Sequence, residues 1–163
     1  MHPSRRSETA HHEAAHAVVA ARLGFEVGDC TIRSDGVIEG RSESEGEWID
    51  GSRDHDQALV YLAGLAGGRM IRPESTVEDG GAGSDYEEAE RLIGVAALPA
   101  AEIEAASLVE LHREAILDLA AALLQHETLD EYEVSIVIDA RAEGYEWGEV
   151  LQQLKERRRL FES

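Results

Sequence analysis

One cysteine, Cys30, stands among 163 residues, so neither an intrachain disulfide nor a thiolate-rich metal site can form. A chain without those devices fits a reducing compartment. Aromatic residues make up only 5% of the chain while alanine is frequent, which favours helix-on-helix packing over a β-sandwich. Positive charge is also scarce. Lysine and arginine number 15 against 34 acidic side chains, for a formal net charge of −19. So acidic a chain repels phosphate backbones, which argues against nucleic acid as a partner. No apolar run is long enough to cross a bilayer. The longest, Ala14 to Leu23 and Ala58 to Gly68, reach about half of the roughly 20 residues required. Behind the basic Arg5-Arg6 flank there is no uninterrupted apolar stretch. A secretory leader is therefore not expected, and the cytoplasm is. No internal repeat is visible, and the length suits one domain spanning 1–163.

What the chain does have is a hydrophobic fraction of 43%, ordinary for a globular protein. Ser7 or Thr9 is expected to cap a first helix, which Gly24 ends just past Leu23. Residues 25–33 and 37–42 flank Ser34-Asp35-Gly36, and Asp-Gly between two β-prone runs predicts a hairpin. A polar loop over 43–52 leads to a second helix over 53–71, with Leu59, Leu62, Ala63 and Ala66 on its apolar side. Gly64 and Gly68 cost that helix about 1 kcal/mol each, and their spacing predicts close packing against a neighbouring helix. Pro73 closes it, a glycine-rich loop follows over 74–83, and Ser84-Asp85-Tyr86-Glu87 has the form of a capping box opening a third helix. One helix after Pro99 is expected to carry Val109, Ile116, Leu119, Leu123 and Leu124, and another runs from after Thr128 to Ala142. The last places Trp147, Val150, Leu151, Leu154 and Phe161 at three- and four-residue steps, with Lys155 and Arg157-Arg158-Arg159 as a solvated cationic end. The expected class is α+β and predominantly helical, with a small β-hairpin and a C-terminal helical bundle.

The chemistry concentrates at His12-Glu13-Ala14-Ala15-His16, an H-E-x-x-H pattern. Residues four apart share a helix face, so two imidazoles can converge on one metal ion. Glu13 is rotated about 100° from His12, placed to serve a water molecule rather than the metal. A catalytic zinc ion typically takes three protein ligands and a water whose pKa falls to about 7. The histidine face continues through Val19 and Leu23 and so points inward, where an imidazole needs a partner. Candidates for a third ligand are His55, Asp79, Asp85, the glutamates of the third helix, His112 and His126. Asp85 stands out because it follows a glycine-rich turn and opens a helix, although a helix dipole favours aspartate there in any case.

At this point the chain resembles the FtsH-type zinc metallopeptidases. His12 to Ala17 is similar to the family's H-E-A-G-H-A, with Ala15 in place of glycine. Cys30 to Gly40 resembles its V-T-I-x-P-R-G-x-A-L-G segment, and Leu65-Ala66-Gly67-Gly68-Arg69-Met70 its L-x-G-R-A-A-E-E. Gly81-Ala82-Gly83-Ser84-Asp85-Tyr86 resembles T-G-A-S-N-D-L, whose aspartate is the third zinc ligand in the family. Ala122 to Asp130 is close to A-x-x-L-L-E-x-E-T-L-D. The resemblance covers most of the chain in the right order. It implies a zinc site of His12, His16 and Asp85, with Glu13 as general base, and hydrolysis of peptide bonds in unfolded or flexible polypeptides.

The departures shape that expectation. No G-x-x-x-x-G-K-[ST] loop is present, so the resemblance implies a stand-alone peptidase domain that is ATP-independent in itself. A hexamer is not implied, while a homo-oligomer or a partner ATPase that feeds substrate stays open. The family's acidic pair after G-R-A-A is replaced by Arg72-Pro73, which leaves Glu74 or Glu78 to orient a zinc-bound histidine. The resemblance also suggests substrate pairing on an edge strand near Gly40-Arg41-Ser42, against which stands an ordinary solvent-facing hairpin arm. His11 reads as a surface or supporting residue, His55 as a helix cap more than a carbonyl-polarising group, and Trp48 as buried under its loop more than a substrate contact. Two other functions compete: a non-catalytic, zinc-stabilised interaction module, and a zinc-dependent amidase acting on small molecules.

Overall fold

The computed structural model describes residues 3–34, 39–45, 51–77 and 82–162. Its first helix, α1 (Pro3–Arg22), runs through the core rather than over it. From Ala10 to Ala20 every residue is buried, because alanine and valine let neighbouring elements approach on all sides. The helix starts at Pro3, where a missing N–H costs nothing. Ser7 and Thr9 therefore lie inside it and cap nothing. Thr9 Oγ1 instead donates to the Arg5 carbonyl at 3.0 Å, one turn back. The far end follows expectation. Gly24, at φ 86°, donates to the Ala21 carbonyl and Phe25 to the Ala20 carbonyl, the paired bonds of a Schellman ending. Arg53 then donates to the Leu23 carbonyl and lies 4.3 Å above the Phe25 ring, tying the next helix to this corner.

After α1 the chain forms β1 (Glu26–Ser34) and β2 (Glu39–Glu45), an antiparallel pair as the Asp-Gly signal suggests. The turn residues 35–36 and Trp48 lie outside the described residues. A short third strand, β3 (Thr128–Leu129), adds to the other side of β1, giving the order β2-β1-β3. β2 is thus an edge strand, and it contains Gly40-Arg41-Ser42.

Helix α2 (Asp54–Gly68) packs along α1. A Cβ on Gly64 would sit 2.4 Å from His16 Nε2, and one on Gly67 would sit 2.5 Å from both Ala15 Cβ and the His11 carbonyl oxygen. Close approach is therefore made at Gly64 and Gly67, whereas Gly68 has room, with Glu8 Cγ at 3.4 Å. Helix α3 (Ala82–Ile93) begins two residues before Ser84, so the expected serine cap falls within it.

The single helix expected after Pro99 is two, α4 (Leu98–Leu111) and α5 (Arg113–His126), broken at His112. Leu98, Ala101 and Ala105 pack with α2 and α3 residues in one cluster, while Ile116, Leu119 and Leu123 pack around α1 in another. One straight helix cannot serve both. Burying leucines such as Leu119 and Leu123 contributes about 1.5–3 kcal/mol each.

Helix α6 (Glu131–Ala142) opens with a reciprocal capping box between Asp130 and Glu133. Gly144, at φ 84°, follows its end. In α7 (Trp147–Glu162), Val150 and Leu154 are buried, but Phe161 is 75% exposed, contrary to the expected apolar face. Lys155 and Arg159 are exposed as expected, but Arg157 and Arg158 are not simply solvated. Arg157 pairs with Asp130 at 2.8 Å and Arg158 with Glu133 at 2.6 Å, fastening α7 to the start of α6. The architecture is predominantly helical α+β, with seven α-helices and three strands among the described residues. No single helix among them is long and apolar enough to cross a membrane.

Candidate metal centre

His12 and His16 occupy successive turns of one face of α1, with ring centroids 4.6 Å apart and planes at 83°. Their Nε2 atoms are 3.0 Å apart. Asp85, in the first turn of α3, brings Oδ2 to 2.9 Å from each of them, across 73 residues of sequence from His12. Two imidazole nitrogens and a carboxylate oxygen thus form a nearly equilateral triangle.

The protonation of that triangle can be worked out from its surroundings. His16 Nδ1 lies 2.7 Å from the Val60 carbonyl oxygen on α2, which can only accept a hydrogen bond. The ring proton of neutral His16 is therefore on Nδ1, and Nε2 turns a lone pair toward Asp85 and His12. At 2.9–3.0 Å that lone pair and the Asp85 carboxylate need a positive partner between them, which a ring proton of His12 or His16 or a metal ion can supply. Burial alone would lower the His16 pKa. The hydrogen bond and charge of Asp85, with help from Glu13 and the Val60 carbonyl, outweigh it and raise the value to about 9. Burial likewise works to raise Asp85, but the two histidines hold its carboxyl well below the usual range.

The donor set suits zinc. Bonds of about 2.0–2.1 Å at tetrahedral angles would place ligand atoms about 3.3 Å apart, close to the triangle observed. Glu13 is buried, with Oε1 4.0 Å from His12 Nε2. His12, Glu13 and His16 each offer an atom within 4.8 Å of the others, but the contacts of Asp85 are shorter, so Asp85 completes the tighter group. The histidines are almost sealed, with side chains 10% and 8% exposed, while the Asp85 side chain is 21% exposed.

The structure places the remaining candidates elsewhere. His55 is not a cap; it lies in the first turn of α2 and pairs at 2.8 Å with Glu104 of α4. His112 occupies the break between α4 and α5, where burial and Arg22 lower its pKa. His126 ends α5, lowered by burial and by Arg158. Glu88 of α3 pairs with Arg91. Asp79 and Glu78 lie outside the described residues, and Glu74 is exposed beside Arg72. His11 is not at the surface; it is buried with Nδ1 2.7 Å from the Ser7 carbonyl oxygen. Cys30 is buried, which pushes its thiol far up, with the Glu13 and Asp29 carboxylates adding to the effect.

Sequence reasoning missed two supports of the triangle. The Val60 carbonyl carries no signal, since every residue has one. Gly64, whose missing side chain makes room for both rings, was legible as a packing glycine but not as part of the site. No protein-family model matches the chain, and no curated protein matches it.

Proposed function

We propose that the chain is a zinc-dependent metallopeptidase of the FtsH type, hydrolysing peptide bonds in unfolded or flexible polypeptides. One observation carries the reading: His12 Nε2, His16 Nε2 and Asp85 Oδ2 converge within 3.0 Å with the His16 tautomer set by Val60. His12, His16 and Asp85 would hold the ion. Zinc in such a site acts as a Lewis acid and brings the pKa of a coordinated water to about 7. Glu13, one residue past His12 and buried, takes the proton of the attacking water and passes it to the leaving amine nitrogen. The Val60 carbonyl keeps the His16 ring from rotating, so its Nε2 stays aimed at Asp85.

The edge position of β2 gives an extended polypeptide a backbone to pair with. The substrates of this reading are segments already unfolded or flexible. A single buried, unpaired cysteine agrees with a cytoplasmic setting.

Cleavage of an unfolded protein by zinc-loaded wild type and Glu13→Gln tests the reading. Glu13→Gln should keep its zinc and lose cleavage by about 10²–10⁴-fold. Cleavage at the wild-type rate would exclude Glu13 as the base, and with it this mechanism.

A further inference from the structure

One turn before His12 on the same face of α1 stands Glu8, so Glu8, His12 and His16 follow one another at steps of four. Its carboxylate faces no metal ligand. Ser75 Oγ donates to Oε1 at 2.5 Å, and Arg72 donates to Oε2 at 2.9 Å. Both partners belong to the segment that leaves α2 on its way to α3. Ser75 is 3% exposed and bonded on every side, its amide to the Arg72 carbonyl and its own carbonyl to Arg69 Nε at 3.0 Å. Farther along, a Cβ on Gly83 would sit 2.9 Å from the Val77 carbonyl oxygen, so the two ends of the segment meet there. Asp85 follows two residues later.

These contacts close a circuit. It leaves α1 at Glu8, runs through Ser75 and Val77 to Gly83, and returns to α1 where Asp85 meets His12 and His16. The span of α1 between its two ends is one to two helical turns. We infer that Glu8 is a positioning residue of the metal centre, setting where Asp85 meets the histidines without touching the ion itself. A short charge-assisted hydrogen bond to a buried hydroxyl suits that task, because it fixes distance as well as direction. The acid that steadies this site thus comes from the zinc helix itself, not from the end of α2, where Arg72-Pro73 stand. The inference rests on the metallopeptidase reading.

The experiment measures zinc affinity and the visible absorption of the cobalt-substituted protein for wild type, Glu8→Gln, Glu8→Ala, Ser75→Ala and Arg6→Ala. Cobalt absorption reports ligand geometry, which a merely structural residue would leave alone. Glu8→Ala should weaken zinc binding by about 10–100-fold and alter the cobalt bands. Ser75→Ala should act in the same direction and not add to it, since both break one link. Glu8→Gln keeps an acceptor for Ser75 but loses its charge toward Arg72, and should fall between. Arg6→Ala removes a different α1 tether, the one to Glu127 at 3.3 Å, and should leave affinity and spectrum unchanged. Wild-type affinity and spectrum in both Glu8→Gln and Ser75→Ala would overturn the inference. So would an equal loss in Arg6→Ala. A wild-type chain that binds no zinc would refute the metal reading beneath it, a result distinguishable from either.

Discussion

Replacing Gly64 by alanine sets two known effects against each other. In a helix interior alanine is favoured over glycine by about 1 kcal/mol, so Gly64→Ala at an open position would stabilise. Here the added methyl would lie 2.4 Å from His16 Nε2, 2.5 Å from His16 Cε1 and 2.7 Å from His12 Nε2. All three distances are below any ordinary contact, so a ring or a helix must move. His16 cannot swing aside without losing the Val60 carbonyl, and His12 is held by Asp85. Forcing extra volume into such a site costs about 1–3 kcal/mol, enough to cancel the helix gain and exceed it. The movement also spoils the triangle, so zinc affinity should fall by at least about 100-fold, or roughly 2.7 kcal/mol. Gly148→Ala is the control. Nothing lies within 4 Å of its would-be Cβ, and it should be neutral or stabilising with zinc binding intact. Urea unfolding of the metal-free variants and zinc titration separate the two terms. A Gly64→Ala protein more stable than wild type and binding zinc normally would refute the placement of both rings.

Glu127 adopts φ 65° without being glycine, while its amide and carbonyl tie α5 to Ile32 of β1. Glu127→Gly should therefore stabilise by up to about 1 kcal/mol in urea, despite losing the exposed pair with Arg6; clear destabilisation would show that the conformation carries no strain. The pKa of Asp130 is lowered: burial opposes the shift, but the Glu133 amide and Arg157 outweigh it. Its stabilising contribution is thus present above the ordinary aspartate value of about 3.9 and lost as pH falls through the lower folded value. Arg157→Ala should flatten that acid-side loss in thermal melts, and an unchanged profile would count against the pair. Chelation should lower the melting temperature of wild type and leave that of Asp85→Ala nearly unmoved, because binding to the native state alone stabilises it.

The histidine pair was legible because a spacing of four puts two side chains on one helix face whatever the fold. Asp85 stood out from the other acids and histidines by its place after a glycine-rich turn and by the family resemblance, while the packing of α3 against α2 is what brings it to the pair. The break at His112 left no trace, since neither glycine nor proline stands there and two separate clusters cause it. β3 is two residues long, too short for any periodic signal, yet it flanks the strand that holds Cys30. Arg157 and Arg158 looked solvated because Asp130 and Glu133 are distant in sequence and meet them only once α6 folds back. Glu8 was in plain view at one step of four before His12. Its role could not be read, because Ser75 and Arg72 reach it only through the turn after α2.

The most direct measurement is the zinc stoichiometry and affinity of the purified chain beside Glu13→Gln and Asp85→Ala. One ion per chain is expected for wild type and for Glu13→Gln, whose side chain serves water and not the metal. Asp85→Ala should bind at least about 100-fold more weakly, having lost one of three ligands. Full zinc affinity in a folded Asp85→Ala chain would contradict the three-residue centre.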